Sequence, residues 1–134
     1  SAVQAAESNT SAQIKVVVEA SLSIGAVVRG QSARERALEV FGLERVWDTR
    51  ENNGILLYVL LSERDAEIVA DRGLNQIVAP DTWQNVCSII ENTAPSRGLG
   101  SALCAAVCAI GEIARSHFPS QGSPNEISDE PRIR

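Results

Sequence analysis

The chain has 134 residues, a common size for one domain, and 44% of them are apolar, enough to build a buried core. Its net charge of −5 repels phosphate backbones and anionic headgroups, which argues against nucleic acid or a membrane surface as partner and suits a metal cation or a basic partner. No run reaches about 18 uninterrupted apolar residues, so no segment of this chain is expected to insert into a membrane.

Residues 2–8 read as the end of a helix. Gln13 to Ala20 (QIKVVVEA) is short and β-branched, a strand whose continuous Val run predicts burial on both faces. Residues 21–31, with Gly25 and Gly30, read as a loop. Ser32-Ala33-Arg34-Glu35 is a capping box that starts a helix, with Ala37, Leu38 and Phe41 as its apolar stripe and Gly42 as its end. Residues 46–53 are polar and turn-like. Gly54 to Leu61 (GILLYVLL) is the strongest strand signal, residues 62–65 are a turn, and Ala66 to Asp71 is a second strand, which together predict a β-hairpin. Pro80 opens a helix to about Thr93, residues 94–98 break it, and Leu99 to about His117 is a last, very apolar helix. From Pro119 onward Ser, Gly, Pro, Asn and acidic residues dominate, so residues 1–119 are expected to form the domain and 120–134 a disordered tail.

The order β-α-β-β-α-α implies a parallel strand pair, one added antiparallel strand, and helices on both faces: a small three-layer α/β/α sandwich with a mixed sheet. Three cysteines, Cys87, Cys104 and Cys108, are an odd number without framework spacing, so no disulfide scaffold is expected. Cys104 and Cys108 lie one helical turn apart. That spacing suits zinc, but no second pair or nearby His completes a set, and both are read as buried, reduced thiols. Reduced cysteines favour the cytoplasm. The chain has no Met at all, and an upstream segment is expected to be missing.

A hairpin turn centred between Glu63 and Arg64 would set Leu56 opposite Asp71 and Gly54 opposite Gly73. The loop before one strand then meets the loop after the other, and Asp48, Glu51, Asn53 and Asp71 become candidate ligands for a hard cation such as Ca2+ or Mg2+. The plainer reading is a solvated loop edge of turn-forming residues, or carboxylates already neutralised by Arg45, Arg50 or Arg72. Arg29, Arg34 and Arg36 read as a solvated basic face or an anion contact, and His117 as a cation at a helix C-terminus. GxSxG, P-loop and GxGxxG motifs are absent from the sequence, and no catalytic set can be assembled.

The stretch Asn52-Asn53-Gly54-Ile55-Leu56-Leu57-Tyr58-Val59, a short turn, then Ile68-Val69-Ala70-Asp71-Arg72-Gly73-Leu74 resembles the centre of the TPM domain. Arg97-Gly98-Leu99-Gly100 before an apolar helix fits the same layout. Gly30 to Leu38, Val46-Trp47-Asp48-Thr49, and the closing His117-Phe118-Pro119 with Asn125 to Asp129 are similar to a soluble proteobacterial branch of that family. The resemblance implies an α/β/α sandwich, divalent-cation binding, and relatedness to thylakoid-lumen acid phosphatase-like proteins. It also implies partners such as LemA-type membrane proteins. Asp71 stands where the family carries the first glycine of its GxG, and the acidic residue that often follows falls near Pro80 and Asp81. Two functions follow as expectations: a non-enzymatic module that binds a divalent cation or a partner protein, and a metal-assisted phosphatase acting on phosphomonoesters.

Overall fold

The computed structural model describes residues 3, 7, 10, 12–49, 52–118 and 132–134. The described strands are β1 (Gln13–Glu19), β2 (Gly54–Leu60), β3 (Asp65–Ala70) and β4 (Arg132–Ile133). The described helices are α1 (Ile24–Val28), α2 (Ala33–Leu43), α3 (Arg72–Asn75), α4 (Pro80–Arg97) and α5 (Leu99–His117). The strands form one sheet in the order β3-β2-β1-β4, with β1 parallel to β2 and to β4, and β3 antiparallel to β2.

Strand alternation divides the core in two. Ile14, Val16, Ile55, Leu57, Val59 and Ile68 point to the face covered by α4 and α5; Val17, Leu56, Tyr58, Leu60 and Val69 point to the face covered by α2. The result is the expected three-layer sandwich. All seven residues of β1 and all seven of β2 are buried, as the unbroken apolar runs require of strands covered on both sides.

The capping box forms as read. Ser32 Oγ accepts from Glu35 N at 3.1 Å, and Glu35 accepts from Ser32 N at 3.1 Å. Three local readings are corrected. The loop at 21–31 contains the short helix α1, because Ser23 Oγ accepts from Ala26 N at 3.1 Å and caps a turn. Helix α4 does not break at residue 94 but runs through Pro95 to Arg97, where Gly98 at φ 86° turns the chain directly into α5. Pro95 sits within the last turn of α4.

The hairpin register also differs. Leu61–Glu63 form a 3-10 turn and Arg64 takes φ 52°, so Leu60 pairs with Asp65 and Leu56 with Val69. The strand is displaced by two residues from the expected pairing, and an even displacement keeps every side chain on its intended face.

Of the residues assigned to the tail, 120–131 lie outside the described ones; Arg132 and Ile133 form β4 beside Val17 and Val18. Arg134 Nε donates to Glu44 Oε2 at 2.8 Å, at the end of α2. Helix α5, 19 residues with a mean hydropathy of 1.4, is long and apolar enough to cross a membrane by length and composition. It lays Ala102, Ala106, Val107, Ile110 and Ala114 into the core.

Candidate functional site

The displaced register still brings the two loops together. Asp71 N donates to Gly54 O at 2.9 Å and Gly73 N to Asn52 O at 2.6 Å, so the ladder continues past the ends of β2 and β3. Asn52 takes φ 52°, a left-handed conformation that Asn tolerates better than most residues. Asn53 is buried, and its backbone N donates to Thr49 Oγ1 at 3.1 Å. Gly54 is required by space: a Cβ there would stand 1.9 Å from the Val46 carbonyl oxygen.

Asp71 ends the hairpin and begins α3. Its Oδ1 accepts from Arg72 N at 2.7 Å, and its carbonyl accepts from Leu74 N and Asn75 N. Its other carboxylate oxygen, Oδ2, is buried and has no hydrogen-bond partner among the described residues. A carboxylate oxygen left this way is costly, and a cation relieves it.

Of the four expected ligands, Asn53 and Asp71 lie on backbone segments that pair at this junction. Asp48 is exposed and pairs with Arg45 Nη2 at 2.8 Å, one of the neutralising arginines considered above. Glu51 and Arg50 lie outside the described residues. Among the described residues, no group of three or more His, Cys, Asp or Glu side chains is placed to hold a metal ion.

Two arrangements escaped the sequence reading. Glu19, at the end of β1, accepts from Arg36 Nε at 2.8 Å, from Arg36 Nη2 at 2.9 Å and from the Tyr58 hydroxyl at 2.6 Å. The hydrogen-bonded guanidinium holds Glu19 below the usual carboxylate range despite its burial. Burial and the adjacent carboxylate push Tyr58 well above its usual value. Arg36 is thus largely buried and paired rather than part of a solvated face. The only local signal was a Glu closing an apolar strand.

The second is a cavity of about 350 Å3 at the open edge of β3, lined by Arg34, Glu67, Asn75, Trp83, Gln84 and Cys87. Arg34 reaches the Ile68 carbonyl oxygen at 2.5 Å and Glu67 at 3.7 Å. Burial, with Asp65 adding to it, pushes the Glu67 carboxyl up to about 7. The Trp83 indole N–H is buried without a partner among the described residues. Nothing in the local sequence around Glu67 or Trp83 signals this convergence, because it joins α2, β3 and α4.

Comparison with known proteins bears on the whole arrangement. A family model described as the TPM domain matches residues 1–112. The chain is similar to BA42 protein from the psychrophilic bacterium Bizionia argentinensis, with 25% identity, a TM-score of 0.85, and 99% of this chain and 88% of that one covered. It also shares its fold with the N-terminal domain of a protein from P. gingivalis, at 18% identity and a TM-score of 0.67, over 87% of this chain and 71% of that one. No curated protein matches.

Proposed function

The chain belongs to the TPM domain family, and from that premise we propose that it is a non-enzymatic module whose hairpin-end junction binds a divalent cation, Ca2+ or Mg2+. The observation that carries the reading is the buried Oδ2 of Asp71, which has no hydrogen-bond partner among the described residues. Hard cations take carboxylate, amide and backbone oxygens. Asp71 supplies the charge, Asn53 an amide from the neighbouring loop, and Glu51 and Asp48 are the further carboxylates of the same proposal. Family resemblance alone carries two other parts: a membrane-associated partner such as a LemA-type protein, and the proteobacterial and thylakoid-lumen relationships.

A protein partner has one support of its own. Helix α1 leaves Ile24 86% exposed and Val28 81% exposed, with Val27 beside them at 63%. Adjacent exposed apolar side chains of this kind mark contact surfaces more often than isolated ones do.

Calorimetric titration of Ca2+ and Mg2+ into the purified protein tests the cation reading. Binding that Asp71→Asn weakens several-fold is expected. Absence of heat in the wild type removes the cation and leaves the partner. Magnesium-dependent turnover of a generic phosphomonoester, lost in Asp71→Asn, would instead favour the phosphatase.

A further inference from the structure

Helix α5 puts its inner face into the core and leaves Cys104 and Cys108 on the outside, both free and both exposed. The expectation that these thiols are buried is overturned, and the reason is composition. Ala102, Ala106, Val107 and Ile110 take the core, while Cys104 and Cys108 share the outer face with Ser101 and Glu112. Cys87 behaves differently: it is buried, and burial pushes its thiol up to about 12.

Residues four apart on a helix lie one turn apart on the same side, with Cβ atoms about 5–6 Å from each other. Each sulfur extends one bond beyond its Cβ, so two such thiols can converge on one atom between them. The exposed residues beside Cys104 are Gly100, Ser101 and Ala105, which have no long side chains, and exposed Glu112 stands one turn beyond Cys108.

We propose that Cys104 and Cys108 form a two-thiolate site for a soft cation that accepts two ligands, Cu(I) being the match. Thiolates select soft cations such as Cu(I) and zinc. Zinc takes four protein ligands in a structural site, and among the described residues no third His, Cys, Asp or Glu joins this pair. A two-coordinate cation is complete with what α5 provides. Each thiol gives up its proton as its sulfur binds, two protons for one cation, so affinity rises with pH. The metal arrives and stays as Cu(I), with no change of oxidation state. This site is separate from the hairpin-end junction, which offers oxygen to hard cations.

The test is an anaerobic competition between the intact reduced protein and bicinchoninate for Cu(I), read by loss of the coloured chelate and by intact mass. The wild type is expected to withdraw one Cu(I) per chain and to keep its metal-free elution volume in gel filtration. Cys104→Ser and Cys108→Ser, both at exposed positions that leave the core untouched, are each expected to lose that copper. Failure of the wild type to withdraw copper overturns the proposal. So does a single variant that keeps full stoichiometry, or one copper shared by two chains.

Discussion

The Tyr58 hydroxyl reaches across from β2 and donates to Glu19 on β1 at 2.6 Å. That bond joins the two central strands on the face covered by α2, and Arg36 closes it from the helix side with a two-pronged contact. Sheet and helix are tied at one buried carboxylate. Arg36→Met leaves Glu19 with its charge and without its cation, and a loss of about 3–5 kcal/mol is expected. Tyr58→Phe removes one hydrogen bond and should cost about 1 kcal/mol. Urea denaturation of both variants checks the order; equal losses would mean that the guanidinium contributes no more than the hydroxyl. Because Glu19 is held low, its contribution is present above the usual carboxylate range and is lost as pH falls through its folded value.

Glu67 runs the other way. Its folded carboxyl titrates at about 7 against a usual 4.5, raised by burial and by Asp65, and opposed by Arg34. Between those values the unfolded chain has released a proton that the folded chain still holds. Stability from this group is fully present below the lower value and declines as pH rises to the upper one. Glu67→Gln should flatten that decline and gain stability at pH above 7. Denaturation midpoints on either side of the window decide it, and an unchanged slope in the variant would place the titration elsewhere.

At the hairpin end the two aspartates should separate. Asp71 has a buried oxygen with no partner among the described residues, whereas Asp48 is exposed and paired with Arg45. Asp71→Asn should weaken Ca2+ or Mg2+ binding several-fold, and Asp48→Asn should change it less. Removing an exposed ion pair alters stability by no more than about 1 kcal/mol, so the comparison reads binding rather than folding. A larger effect at Asp48 would move the cation toward the 45–48 turn.

Gly54→Ala tests the close approach of the 46–54 segment to itself. Its Cβ would fall 1.9 Å from a backbone oxygen, not from a flexible side chain, so β2 or the Val46 turn must shift. The expected cost exceeds about 3 kcal/mol. A variant with wild-type stability by calorimetry would show that the loop moves freely.

Native labelling with a bulky thiol reagent should modify Cys104 and Cys108 quickly and Cys87 only after unfolding. The count of adducts by mass, two before denaturant and three after, is the readout. Three adducts in the native protein would mean that the cavity beside β3 opens readily to solvent.

What could be read from the sequence was local or periodic. Ser32 and Glu35 announce their helix because both partners of the cap lie within four residues. Gly54 to Leu60 announces a strand because its apolar run is unbroken. The pairing of β2 with β3 depends on a 3-10 turn and a left-handed Arg64, which no simple turn rule supplies, so the observed register stands two residues from the one the sequence implies. Its even size kept the faces right and preserved the meeting of the Asn52 and Gly73 loops. Glu19 with Arg36, and Arg34 with Ile68, are 17 and 34 residues apart; such pairs exist only once the sheet has formed. The outward face of α5 carries Cys104 and Cys108 beside Ser101 and Glu112, and thiols, which are more often buried than exposed, did not mark it.

Arg34 also changes how this sheet presents itself to other molecules. β3 is an outer strand, and the Ile68 carbonyl it turns away from β2 is occupied by the Arg34 guanidinium, whose side chain is 50% exposed. A foreign strand arriving at that margin meets a positive charge lying over the acceptor it needs. Outer strands left bare invite neighbouring chains to stack onto them and grow into filaments. A residue that contributes little to the interior thus covers one of the acceptors that a neighbouring strand would use at the β3 margin.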